Sequence, residues 1–248
     1  MLFIDRVWLV RRGAAVATLC LALFTISFLR SPAFQPASAT AWQADRPLTR
    51  ADSPDDRVAL TFDVTWQKEE LTKILDVLDR AGVKATFFVG GTFLQLYPDM
   101  VKEISRRGHE VGTLGQQIRD LSGLPETEIV SNLLGSQSAL AKILGGPVRY
   151  FRPPNGKAAP EVLRAAHQAR LVTVTYALDS QDHLGLTADQ IVRRVVRKAQ
   201  RGDIIRLTAS DFATETAEAL PRILEGLRRR GFKVVRVSDL VPVDDTQP

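Results

Sequence analysis

The sequence predicts an α/β fold, a distorted or incomplete (β/α) barrel with about seven β/α units. Three observations carry this. Short β-branched and aromatic runs alternate with amphipathic stretches from Val58 onward. Two helix-to-strand junctions, Arg106-Arg107-Gly108 and Arg229-Arg230-Gly231, reuse one chemistry. Cations suit the negative end of a helix, and glycine supplies the left-handed turn after it. The units also fit into about 185 residues, too few for a regular eight-unit barrel of roughly 250. A distorted barrel and a doubly wound open sheet both satisfy that length. Either places its site at the C-terminal ends of the strands.

The elements follow in order. Val58–Asp63 reads as the first strand, and Leu71, Ile74, Leu75 and Leu78 recur at helical spacing behind it. Gly82 stops that helix and Ala85–Val89 is strand-like. Pro98 opens a helix with Val101 and Ile104 inward. A helix near Glu126–Leu144, a short strand near Arg149–Phe151 and a helix near Pro160–Ala169 come next. Leu171–Leu178 is one strongly β run. Two units close the chain: the helix of Ile191, Val192, Val195 and Val196 with strand Asp203–Leu207, then the helix of Leu220, Ile223, Leu224 and Leu227 with strand Phe232–Val237. Arg193, Arg194, Arg197 and Lys198 lie opposite the apolar stripe of their helix and read as a solvated face.

The chain has 248 residues and a formal net charge of +5. Residues 1–39 hold Arg6, Arg11, Arg12 and Arg30 against Asp5, which leaves +2 for residues 40–248. That is no basic stripe, so a nucleic-acid partner is not expected. Cys20 is the single cysteine, which excludes an internal disulfide framework and a zinc site of several thiolates. No glycine-rich nucleotide loop follows any strand.

Ala14–Leu29 is a 16-residue run without charge, preceded by Arg11 and Arg12 and followed by Arg30. It reads as an export signal: either a retained single-pass membrane anchor or a signal peptide cleaved after Ala37-Ser38-Ala39. Both place residues 40–248 outside the cytoplasm. The expected organisation is a signal-anchor or signal peptide over 1–30, a Pro-, Ala-, Ser- and Thr-rich linker over 31–56, a domain over 57–241 and a tail over 242–248.

The strand ends collect Asp63, Gly90, Thr113, Leu114, Arg152, Asp179, Asp182, Thr208, Ser210 and Asp211. Around them stand ordered blocks: Thr61-Phe62-Asp63, Ala85-Thr86-Phe87-Phe88-Val89, Gly108-His109-Glu110-Val111-Gly112, Tyr150-Phe151-Arg152-Pro153-Pro154-Asn155-Gly156, Asp179-Ser180-Gln181-Asp182 and Gly202-Asp203-Ile204-Ile205. Together they resemble the NodB-homology polysaccharide deacetylases, the fourth family of carbohydrate esterases, over about residues 57–241. Ala209-Ser210-Asp211 and Thr216-Ala217-Glu218-Ala219-Leu220-Pro221 resemble its sporulation-associated branch.

The resemblance implies removal of N-acetyl groups from chitin-like or peptidoglycan sugars. One Asp and two His would hold a divalent metal that activates water, a carboxylate would take the proton, and a histidine would protonate the leaving amine. Asp63 keeps the base position, and Arg152, Asp179 and Asp182 keep their family positions. The three ligand positions are Val64, Leu114 and Ile118, and the acid position is Thr208. Aliphatic side chains bind no metal, so no cofactor is expected and the protein reads as a degenerate deacetylase that binds glycan or an envelope protein. The alternative is an active amide hydrolase with a relocated zinc site, for which Asp63, Asp182 and His183 are the conceivable ligands. Trp66, Pro153, Pro154, Asn155 and His183 are the candidate substrate contacts. Arg152 also has a purely structural reading, as the partner of a buried Asp63 or Asp179. His109 and His167 read as structural and surface residues.

Overall fold

The computed structural model describes residues 45–53 and 55–241. The apolar segment Ala14–Leu29 and the tail lie outside the described residues. No helix among the described residues is long and apolar enough to cross a membrane.

The chain runs β1 (Arg57–Val64), α1 (Glu69–Ala81), β2 (Thr86–Val89), α2 (Gly91–Leu96), α3 (Pro98–Arg106), β3 (Glu110–Thr113), α4 (Glu126–Leu144), β4 (Tyr150–Phe151) and α5 (Pro160–Gln168). It continues with β5 (Val172–Thr173), β6 (Leu178–Asp179), α6 (Ala188–Lys198), β7 (Ile204–Thr208), α7 (Glu215–Arg229), β8 (Lys233–Val235) and α8 (Val237–Leu240). The paired strands are parallel and follow the order β5-β4-β3-β2-β1-β7-β6, with β8 beside the start of β1. This is a curled half-barrel with helices around it, as the composition of the units predicts.

Alternation along β1 decides what faces where. Val58, Leu60, Phe62 and Val64 pack with Leu71, Ile74, Leu75 and Leu78 of α1 in the helix-side core. Each of those four α1 side chains is fully buried, a contribution of about 1.5–3 kcal/mol apiece. Ala59 packs on the concave side with Phe88, Leu114, Tyr150, Val172, Val174 and Ile204. Thr61 and Asp63 share the parity of Ala59, so β1 turns its polar residues into the barrel. Gly82, after α1, takes the left-handed conformation at φ 65°, as its place behind a helix demands.

Three segments differ from the sequence reading. Leu171–Leu178 is not one strand. β5 and β6 stand at opposite ends of the strand order, and the residues between them cross the open side. Val174 N donates to Phe151 O at 2.8 Å, and Ala177 N donates to Ile204 O at 3.0 Å. The expected linker over 31–56 also gives way earlier than its composition suggests. Leu48 N donates to Thr173 O, Thr175 N to Leu48 O and Ala51 N to Gly202 O, at 2.8–2.9 Å. Arg50 Nε meets the buried Asp203 Oδ1 at 2.6 Å. Residues 48–51 thus close the seam between β5 and β7. Finally, Phe232–Val237 is strand only over Lys233–Val235, and Val237 opens α8, where its N–H donates to Thr86 Oγ1 at 2.9 Å.

Candidate functional site

Asp63, at the C-terminal end of β1, is the centre of an ion chain. Its Oδ1 accepts from Arg152 Nη1 at 2.9 Å and its Oδ2 accepts from Arg206 Nε at 2.8 Å. Arg206 Nη1 reaches Asp179 Oδ2 at 3.3 Å. Arg152 is 1% exposed. Its Nη2 donates to Thr61 Oγ1 at 2.8 Å and to Thr175 O at 3.0 Å, and its guanidinium stacks 4.1 Å from the Phe88 ring centre. Burial pushes the Arg152 pKa down against the pull of Asp63. For Arg206 burial acts the same way, but Asp63 and Asp179 outweigh it and leave the guanidinium raised.

Asp182 forms a separate hydrogen-bonded cluster. Its Oδ2 accepts from Thr208 N at 2.7 Å and Thr216 Oγ1 at 2.8 Å, and its Oδ1 accepts from Thr208 Oγ1 at 2.9 Å. Burial would raise this carboxyl; the neighbouring His183 and the donors on Thr208 and Thr216 hold it lowered instead. His183 Nδ1 lies 3.7 Å from Asp182 Oδ1, beyond hydrogen-bond length, and is buried without a partner. Thr208, at the position the resemblance assigns to the acid, spends its hydroxyl on Asp182.

The positions the resemblance assigns to metal ligands do not form one donor set. Val64 is fully buried in the helix-side core, whereas Leu114 and Ile118 pack on the concave side. Ile118 folds over Gly90, and Val64 approaches the same glycine through its carbonyl, which accepts Gly90 N at 3.0 Å. A Cβ on Gly90 would stand 2.2 Å from Ile118 Cδ1, so the glycine makes room for the aliphatic side chain. No group of three His, Cys, Asp or Glu side chains among the described residues could hold a metal ion. Asp63 and Asp182 hydrogen-bond to different partners, so the set Asp63, Asp182 and His183 is not assembled either. A divalent metal does not fit these side chains.

The remaining candidates line the mouth unevenly. Trp66 is 54% exposed, and its loop is tied to the loop after β7 by the hydroxyls of Thr65 and Ser210 at 2.8 Å. Pro153 and Pro154 are buried and Asn155 is exposed at φ 59°. His109 is buried, accepts Ala85 N on Nδ1 at 3.2 Å and sits edge-on to Phe87; His167 is exposed on α5. A groove of about 680 Å³ between α1, α7 and β8 contains none of the site residues.

Sequence reasoning missed Arg206, Tyr176 and Arg194. Arg206 was passed over inside an apolar strand, although a charge between Ile205 and Leu207 is itself a signal: a strand covered on both faces tolerates a charge only when it is paired. The Tyr176 ring lies 5.4 Å from the Arg206 guanidinium and 5.7 Å from that of Arg152. Arg194 leaves the solvated face expected of it and donates from Nε to Asp179 O at 2.7 Å.

The sequence model of the polysaccharide deacetylases matches residues 50–174. A peptidoglycan-N-acetylglucosamine deacetylase of Bacillus cereus is 30% identical over 187 residues, which is 74% of this chain and 87% of the relative. An uncharacterized Bacillus subtilis protein, YlxY, is 27% identical over 201 residues; the match takes in 81% of this chain but 61% of the relative's length. Among solved structures, a CE4 family pseudoenzyme from Bacillus anthracis superposes with a TM-score of 0.75 at 28% identity, covering 79% of this chain and 69% of that one. A mutant of that pseudoenzyme with restored enzymatic activity matches equally well, with a TM-score of 0.75 at 29% identity, covering 79% of this chain and 71% of that one. The half-barrel, the ordered sequence blocks and these matches agree: the chain belongs to the polysaccharide deacetylase family.

Proposed function

We propose that this protein binds N-acetylated glycan of the cell envelope, peptidoglycan or chitin-like, without hydrolysing it. One observation carries the reading: the three positions that the resemblance assigns to metal ligands are the aliphatic Val64, Leu114 and Ile118, and no three His, Cys, Asp or Glu side chains among the described residues could hold a metal ion. A deacetylase centre of this family needs ligands there to hold the metal that activates water. Likeness to peptidoglycan deacetylases supports the glycan, and likeness to a CE4 pseudoenzyme supports loss of hydrolysis. Trp66 offers an exposed face on which a pyranose ring stacks. The domain works outside the cytoplasm, tethered or exported by Ala14–Leu29.

The competing reading is an active amide hydrolase with zinc relocated toward Asp182 and His183. The unpartnered His183 Nδ1 favours it, but the Asp182 oxygens are taken by Thr208 and Thr216. Metal analysis and a deacetylation assay on one purified sample separate the two. The expected result is no stoichiometric zinc, cobalt or nickel, no released acetate, and retention of the protein on insoluble peptidoglycan. One tightly held metal per chain with acetate release establishes the hydrolase.

A further inference from the structure

We propose that Arg206 is the internal cation of this site, standing for Asp63 where the family uses a divalent metal, so that the site is neutral without metal and refuses one. The inference deepens the binding reading and rests on it for the identity of the pocket.

Charge accounting leads there. Without Arg206, the pocket holds the carboxylates of Asp63 and Asp179 against the single guanidinium of Arg152. Asp63 is 8% exposed, and a carboxylate so enclosed is strongly unfavourable unless its charge is matched. Arg206 makes the count two against two within the ion chain, apart from Asp182, which Thr208 and Thr216 hold. Strand register delivers it: Thr61 pairs with Arg206 and Asp63 with Thr208, so Arg206 has the concave parity of Thr61 and Asp63. Asp179 on one side and the Tyr176 ring on the other hold its guanidinium, and Arg194 holds the Asp179 carbonyl. The cation is therefore built into β7 rather than recruited from solvent.

The charged and titratable groups facing Asp63 are Arg152 after β4, Arg206 on β7, Asp179 on β6 and Tyr176 in the crossing segment, with Asp182 and His183 behind Thr208. Of these, Arg206 is the one bonded to Oδ2. Its replacement leaves Oδ2 without that donor.

The test is denaturant and thermal unfolding of Arg206→Leu, Arg206→Lys, Asp63→Asn and the Arg206→Leu/Asp63→Asn double variant at pH 7, with and without Zn²⁺. Arg206→Leu is expected to lower the melting temperature at pH 7 by roughly 10 °C. The deficit shrinks when Asp63 is already Asn, and Arg206→Lys recovers part of it. Wild type shows no Zn²⁺-dependent rise. If Arg206→Leu does not fold, Arg206→Lys against Asp63→Asn gives the same coupling. Additive single effects would make Arg206 a packing residue and overturn the proposal, as would a Zn²⁺-dependent rise in wild type. Failure of the glycan to bind would sink the binding reading and leave this result untouched.

Discussion

Arg152 and Asp63 meet at 2.9 Å in a part of the barrel where the guanidinium is 1% exposed. The pair joins β1 to the segment after β4 across the concave side, and Arg152 Nη2 also donates to Thr61 and to the Thr175 carbonyl. Arg152→Ala leaves Asp63 short of a donor and empties the space above Phe88. The expected loss is about 3–5 kcal/mol, the usual cost of orphaning one member of a buried pair. Urea unfolding at pH 7 measures it, and an unchanged midpoint rejects the structural role of the pair.

Gly90 and Ile118 make a steric prediction. Gly90 has an ordinary extended backbone, φ −85° and ψ 150°, so alanine there is penalised by the Ile118 side chain and not by conformation. Gly90→Ala should cost about 1–3 kcal/mol through overpacking. Ile118→Ala in the same chain should return most of that. Additive losses in the double variant would place Ile118 elsewhere.

His109 gives a pH dependence. Burial lowers its pKa from 6.5 to about 4. Between those values the unfolded chain takes up a proton that the folded chain declines, so stability falls as pH falls. The slope from this group is at most about 1.4 kcal/mol per pH unit. The difference in stability between wild type and His109→Gln, followed from pH 7 to pH 4, should change with that sign. A constant difference over the range contradicts a buried neutral imidazole.

Trp66 separates binding from folding. At 54% exposure its ring contributes little to the core, so Trp66→Ala should leave the melting temperature within about 1–2 °C. Retention on peptidoglycan should weaken by roughly tenfold, the loss of one aromatic contact of about 1.4 kcal/mol. Undiminished retention moves the glycan away from the β1 loop.

The export reading of Ala14–Leu29 predicts a compartment. A reporter that is active only outside the cytoplasm, fused after Pro248, should give signal. Activity of a cytoplasm-only reporter at the same point reverses the topology.

The half-barrel and the polar strand ends were legible because they depend on local patterns. Alternation along Val58–Asp63, the helical spacing of Leu71 to Leu78 and the Arg-Gly junctions each sit within a few residues. Asp63 and Arg152 were legible as strand-end polar groups for the same reason. What was not legible depends on partners far away in the chain. Leu171–Leu178 has continuous β character, and only the positions of Phe151 and Ile204 divide it into β5 and β6. Leu48 and Arg50 lie in a stretch with linker composition, and their place comes from Thr173 and Asp203. Arg206 stands inside the apolar run Ile204–Leu207, and its role comes from Asp63 and Asp179, 143 and 27 positions away.

The seam closed by residues 48–51 also governs when the fold can be finished. Arg50 leaves the ribosome early, and its partner Asp203 follows 153 positions later. Closing so long a loop is entropically costly and slow. The sheet from β1 to β4 can therefore assemble during synthesis with its concave side open to solvent, while the strap that shuts it waits for β5 and β7. A nascent chain of this protein exposes Phe88, Tyr150 and the Asp63 carboxylate until its last third is made, which makes that interval the one in which chaperone capture competes with folding.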